Sequence, residues 1–379
     1  MEHSRIGRLL AQLLVLATAA LCACAPAKRV VSSGAEPGSL PKYESRLGHS
    51  RPVVAIVANN QGAELSDLLV PFGILSRDEG LDVKVVTTGD DALSTFTDMG
   101  QPGPRIQGQS TLHGFDEQVP EGADYVVVPA QASSQALIDW LKSQVGKGAT
   151  TVSICNGGLI VAQTGLFAGR FATAHWSTES ARIKSYPSVR WVRDRRYLAD
   201  GSWISTSGVS AAVPVSIALI EAIHGRAAST RIARDLGVDD WSPVHDTSAF
   251  EPHLSGTAWP LAKVAYTNRW WHTQDLIVIA VAGGIDEVSL ALTVDAYSST
   301  GRSRAFVTTA DGRPVVTRHG LTLWPDSPPQ RIAGRPVVPP TERTATALDG
   351  ALDGIMQRYG QATADGVALV FEFPWKRSR

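Results

Sequence analysis

The side chain whose setting points most directly to chemistry is Cys155, in the stretch TVSICNGGLIVAQTGLF (151–167). A β-branched apolar segment runs up to the thiol, Asn156-Gly157-Gly158 follow it, and helical periodicity begins after the glycines. The first N–H groups of that helix carry partial positive charge, which favours thiolate and hence a nucleophile. The sequence therefore predicts an activated thiol, while the plainer fate of a free cysteine, a small buried hydrophobe, stays open. His245, His253 and His272 are irregularly spaced and lack clustered thiol or carboxylate partners, so no metal site is expected. There is no phosphate loop or nucleotide signature either, and no cofactor is expected.

Three consecutive segments must position the thiol. ADYVVVPA (123–130) and ATTVSIC (149–155) are apolar runs suited to buried parallel strands, and QALIDWLKSQVGKG (135–148) between them is amphipathic at helical spacing. Together they predict a βαβ unit with Cys155 at the carboxyl end of a central strand, the edge at which open α/β sheets bind ligands. A sharp strand-to-helix turn at the glycines would make a nucleophile elbow, with cysteine in the place of serine.

The whole chain sets bounds. It has 379 residues, a formal net charge of −1 and 44% hydrophobic residues, enough for one large or two ordinary domains. Its basic clusters, VRDRRY and the terminal KRSR, read as solvated faces, so no nucleic-acid partner is expected. Arg5 and Arg8 precede LLAQLLVLATAALCAC, an apolar run of signal-peptide length. Three fates fit it: lipidation of Cys24 in a lipobox-like LCAC, cleavage after Ala27, or retention as an anchor. Each predicts export and a cell-envelope location, with contact to a membrane through lipid or anchor in the first and third. Residues 28–49, rich in Ser, Gly and Pro, read as a flexible tether. If Cys22 is removed and Cys24 carries lipid, Cys155 has no disulfide partner.

SICNGGLIVAQTGLFAGRFATAHW (153–176) resembles the nucleophile region of the ThiJ/PfpI, or DJ-one, superfamily, near its isocyanide hydratases and the sensor domains of AraC-type regulators. VAIVANNQGAELSDLLVPFGIL (54–75) resembles the family's first strand, loop and helix, and DGSWISTSGVSAAVPVSIALIEAIHG (200–225) the segment closing its site. The resemblance implies a flavodoxin-like, class I glutamine amidotransferase-like fold over residues 50–242. It also implies that Cys155 is the nucleophile, that Asp67, four residues before Pro71, is the acidic partner, and that His175 is a catalytic or structural histidine. Asn156, Gly157 and Gly62 would hold an oxyanion or substrate, and Ser207, Gly208 and Ser210 would line the far wall. The chain departs from the pattern at Ala130 and Gln131, where glycines are usual, at Asn156, where threonine is common, and at Pro214, where aspartate is frequent.

After a predicted linker (243–272), whose Trp270-Trp271 pair reads as packing, the chain echoes itself. DLIVIAVAGGIDEVSLALTVDAY (275–297) parallels residues 52–75, with Gly284 at the place of Gly62 and Ser289 at that of Asp67, and FVTTADG (306–312) parallels VVTTGDD (85–91). Both lie about 220 residues on, which predicts a shortened, noncatalytic copy of the fold over 273–379 with no cysteine elbow. The overall expectation is an α/β protein with an open, mostly parallel sheet flanked by helices, then the degenerate repeat. Pairing would be as a homodimer or as an intrachain pseudo-dimer. Two functions follow: a cysteine-dependent hydratase or amidase acting on a small electrophile through Cys155 and Asp67, or a noncatalytic small-molecule or redox-sensing domain. A third reading is an envelope protein whose site is dead.

Overall fold

The computed structural model describes residues 40–326 and 335–375. The N-terminal apolar run, Cys24 and residues 28–39 of the predicted tether lie outside the described residues. Among the described residues no helix is long and apolar enough to cross a membrane.

The elements follow the predicted βαβ rhythm. In chain order they are β1 (Val53–Ala58), α1 (Leu65–Leu75), β2 (Asp82–Thr87), β3 (Ser110–Thr111), β4 (Tyr125–Val128), α2 (Gln135–Lys147), β5 (Thr150–Ser153) and α3 (Gly157–Gln163). Strands β6 (Tyr197–Asp200) and β7 (Trp203–Thr206) and helices α4 (Ala212–His224) and α5 (Arg226–Leu236) follow. The seven strands form one sheet in the order β6-β7-β5-β4-β1-β2-β3. Every neighbouring pair is parallel except the β6–β7 hairpin. Strand β1 shows why a run of apolar residues suits this position: Val54, Ile56 and Ala58 feed the core on one face of the sheet, and Val53, Ala55 and Val57 that on the other. The chain lays strands outward from β1 in one direction, then crosses to β4 and builds the other way. The switch point therefore lies between β1 and β4, and the loops after β1, β4 and β5 converge there.

Helix α1 is buried along its whole length, all eleven residues of it. A helix with no polar face must be covered on every side. Here α4 packs against it on one side and a helix of the C-terminal half on another. That half begins with β8 (Asp275–Ala280), α6 (Glu287–Ser298) and β9 (Ser303–Thr308), and ends with α7 (Ala347–Tyr359) and α8 (Gln361–Val370). Strands β8 and β9 pair in parallel over six residue pairs, Asp275–Ser303 to Ala280–Thr308, just as β1 and β2 do from Val53–Asp82 to Ala58–Thr87. Gly360 joins α7 to α8 at φ 84°, the φ that Gly225 has between α4 and α5. Helices α1 and α6 come close at Gly73, where a Cβ would lie 3.0 Å from Val288 Cγ2. Ser66 Oγ donates to Asp295 across the same contact (2.7 Å), and Arg77, just beyond α1, pairs with Asp286 at the start of α6.

One expectation needs correcting. Trp270 and Trp271 are not packing residues: they are 73% and 78% exposed. The helical turns of residues 258–271 are anchored by Pro260, Leu261, Val264 and Asn268 instead, which turns the aromatic pair outward.

Candidate functional site

The thiol sits where the βαβ reading puts it. Cys155 follows β5 by two residues and has φ 51°, a left-handed conformation that a non-glycine residue adopts at a cost. Its N–H donates to Thr206 Oγ1 (2.9 Å), which ties the elbow to the adjacent strand β7. Gly157 makes the turn possible: a Cβ there would lie 2.0 Å from the Val128 carbonyl oxygen, so only glycine lets α3 start this close to β4. The Gly157 N–H donates to Ile154 O (2.8 Å), which commits it to the turn itself, and the Asn156 side chain accepts from Thr178 Oγ1 (2.8 Å).

Asp67 reaches the same edge from the first turn of α1. Its N–H donates to the Glu64 carboxylate (2.6 Å), which caps the helix, and its Oδ2 accepts from Ala130 N–H (3.0 Å). The backbone donor at this position is kept with alanine in place of the usual glycine. Gln131 meanwhile binds the β1 edge through Asn59 N–H and Val57 O. Asp67 Oδ1 and Glu64 Oε1 are buried, and among the described residues neither accepts from an N–H or hydroxyl donor. Burial, with the charge of Asp295 of α6 adding to it and hydrogen bonds from Ala130 and Glu64 opposing it, raises the Asp67 carboxyl to about 7. Gly62 lies in the loop before α1 at φ 152°, with its N–H on Asn59 O (2.9 Å).

These carboxyls reverse the expected state of the thiol. Cys155 is 1% exposed, and burial followed by the charges of Asp67, Asp98, Glu64 and Glu372 pushes its thiol well above the ordinary value. The seven-residue helix α3 supplies a dipole too weak to offset this, so the expectation of an activated thiolate is corrected: the resting form is the thiol. Burial also holds Glu64 and Asp98 well above the carboxylate range, and Asp295 is raised for the same reason. Asp295 accepts from Asp98 N–H (2.9 Å) and acts electrostatically on Glu64, so the C-terminal half enters the cluster.

The far wall is occupied from that half as well. Ser210 N–H donates to Phe371 O (3.1 Å) and Ser210 Oγ to Glu372 O (2.8 Å). A Cβ on Gly208 would lie 2.9 Å from both Glu372 Cγ and His175 Cδ2. Ser207 Oγ is buried without a partner. Glu372 is itself left-handed at φ 53°, and its buried carboxylate accepts from His245 Nε2 (2.7 Å) and Trp176 N–H (3.1 Å). Burial would raise that carboxyl, but the His245 hydrogen bond and the charges of His175 and His245 prevail and hold it at about 2. His175 takes a hydrogen bond from Ser177 N–H on Nδ1 (3.2 Å), which leaves its ring proton on Nε2, donating to Val370 O (2.8 Å). Both ring nitrogens thus have partners other than the thiol. Arg182, buried, donates to the His175 carbonyl (2.6 Å).

The structure therefore brings Cys155, Asp67, Asn156 and Gly157 to one sheet edge, and places His175, Gly208 and Ser210 around the inserted Phe371-Glu372. Sequence reasoning missed Glu64, Asp98, Asp295 and Glu372. The first was open to view, as an acid three residues before Asp67. Cys24 lies outside the described residues.

Part of the chain is similar to known proteins. Residues 52–222 match the DJ-1/PfpI family. The chain is 30% identical over 118 residues to the HTH-type transcriptional regulator CdhR of Pseudomonas aeruginosa, covering 31% of this chain and 35% of the regulator. It is 29% identical over 107 residues to the isonitrile hydratase of Pseudomonas putida, covering 28% of this chain and 44% of the hydratase. It thus spans less than half of either. Against Drosophila melanogaster dj-1beta it is 24% identical over 190 residues, 48% of this chain and 95% of that protein. The crystal structure of Drosophila DJ-1beta aligns with 50% of this chain and all of its own at 21% identity, with a TM-score of 0.44.

Proposed function

With residues 52–222 forming a DJ-1/PfpI family domain, we propose that the protein is a cysteine-dependent, hydratase- or amidase-like enzyme acting on a small electrophile. The observation that carries this reading is the pairing of a strained cysteine elbow with Asp67, a buried carboxyl at about 7 whose Oδ1 accepts from no N–H or hydroxyl donor among the described residues. Strain and a near-neutral buried acid are features that a packed scaffold has no need to keep. Because the resting sulfur is protonated, its attack on carbon is coupled to proton transfer. For an isocyanide, the S–C bond forms as the thiol proton passes to ionised Asp67, which delivers it to the same carbon to give a thioimidate; water then adds across the C=N bond, and the sulfur departs with its electron pair and takes the hydroxyl proton, leaving a formamide.

The test is turnover of small isocyanides, amides and aldehydes by the full chain, with Cys155→Ser and Asp67→Asn as controls. The expected result is product formation that Cys155→Ser abolishes and Asp67→Asn lowers by about 10²–10⁴-fold. Tight binding of such a molecule without turnover would replace this reading with the second one, a noncatalytic small-molecule sensing domain. That alternative is favoured by the insertion of Phe371-Glu372 against the wall of Ser210 and Gly208.

Two further elements belong to the proposal. The apolar run that follows Arg5 and Arg8 and ends at Cys24 supports a cell-envelope location, to be checked by the intact mass of the mature chain. The matched layouts of β1-α1-β2 with β8-α6-β9, and of α4-α5 with α7-α8, support a degenerate second copy acting as a covalently attached partner.

A further inference from the structure

We propose that residues 258–271 form a docking face that rests against the anionic headgroups of a phospholipid bilayer. The segment runs through Ala258–Ala262, the π-helical stretch Lys263–Thr267 and Asn268–Trp271. Its inner side is seated firmly. Asn268 Nδ2 donates to Thr300 O (2.7 Å), and a Cβ on Gly366 would lie 2.4 Å from Pro260 O. Its outer side carries Trp259 and Tyr266, 60% and 50% exposed, together with the still more exposed Trp270 and Trp271. Leu254 nearby is fully exposed. Lys263 Nζ sits 5.9 Å from the Trp259 ring centre. From Leu254 to Gln274 the chain contains Lys263 and Arg269, the latter exposed with one guanidinium N–H on Met99 O (3.0 Å), and no Asp or Glu.

Exposed tryptophan and tyrosine interleaved with cations suit the headgroup level of a bilayer, where the rings bury and the cations meet lipid phosphate. Fifteen residues separate Cys24 from Leu40, so a lipid or anchor at residue 24 would keep Leu40 within ~60 Å of the membrane surface. A second copy of the chain fits less well, because symmetric pairing through this face would set Lys263 and Arg269 against their own like charges. The inference draws on the envelope assignment and is independent of catalysis.

The experiment uses the full chain bound to vesicles of phosphatidylglycerol and phosphatidylcholine whose acyl chains are brominated. Tryptophan emission is compared with that on unbrominated vesicles and with a Trp259→Ser/Trp270→Ser/Trp271→Ser variant. The expected result is quenched, blue-shifted emission in the wild type and loss of both effects in the variant, with unchanged circular dichroism. Vesicle-bound chain with unquenched emission overturns the docking face and leaves the anchor standing. Chain that does not sediment with vesicles overturns both. Reversible dimerisation that protects these tryptophans from soluble quenchers would assign the face to a second copy.

Discussion

At Cys155 two local influences oppose each other, and their relative size decides the chemistry. The start of α3 favours thiolate, typically by 0.3–1 kcal/mol near an exposed helix end, whereas each pKa unit of upward shift amounts to about 1.4 kcal/mol. Burial and the surrounding carboxyls prevail. Alkylation of folded Cys155 by iodoacetamide is therefore expected to be slow at pH 7, and to accelerate only above the pH at which the denatured chain reacts. Asp67→Asn, which removes the strongest nearby charge acting on the thiol, should move that profile to lower pH; an unmoved profile would mean that Asp67 does not act on the sulfur. Asp67 also links the site to stability. Its folded value of about 7 lies above the ordinary value of about 3.9, so its contribution is complete below about pH 4 and disappears as pH rises through 7. Glu372, held at about 2, behaves oppositely, losing its contribution only as pH falls toward 2. Thermal melts should thus show the wild-type Tm declining between about pH 4 and 8, with a flatter curve for Asp67→Asn.

Among the elements, the elbow and the inserted C-terminal segment are held by different means, and substitution should separate them. Gly157→Ala puts a methyl group 2.0 Å from the Val128 carbonyl, a clash with rigid backbone. Loss of the cooperative melt is expected, while Ala at Gly146, whose Cβ meets nothing, should be tolerated. Glu372→Gln keeps the shape but removes the charge that His245 and His175 face. It should cost about 1.5–3 kcal/mol by urea unfolding and leave the elbow intact. The elbow was legible beforehand because its signals are local: an apolar strand, Cys155, two glycines and a helix, within a dozen residues. The same is true of α1 and Asp67. Glu372 was not legible, because it meets Ser210 across 162 residues of chain and VFEFPW carries no motif of its own. The protonation of the thiol was hidden for the same reason, since Asp98 and Glu372 act on it only through tertiary packing. The outward Trp270-Trp271 pair was misjudged because apolar residue type alone does not say which side of a helix is already anchored.

Across the whole molecule, one apolar core runs from Val54 and Ile56 of the first sheet through α1 to Val288, Leu292 and Phe371 of the C-terminal half. The site follows the same continuity: Asp67 belongs to the first half, while Asp295 and Glu372, which act on it or on the thiol, belong to the second. If the C-terminal half is an attached partner, its removal must uncover α1, whose eleven residues have no polar face to offer water. A chain ending at residue 242 is therefore expected to dimerise through α1 or to aggregate, and size-exclusion chromatography with light scattering distinguishes these outcomes from a monomer. Dimerisation is the more informative, because a second copy would then be occupying the place that α6 takes in the full chain. A stable monomer with an unchanged Cys155 alkylation profile would show that the C-terminal half neither covers α1 nor sets the state of the thiol, and the pseudo-partner would have to be abandoned.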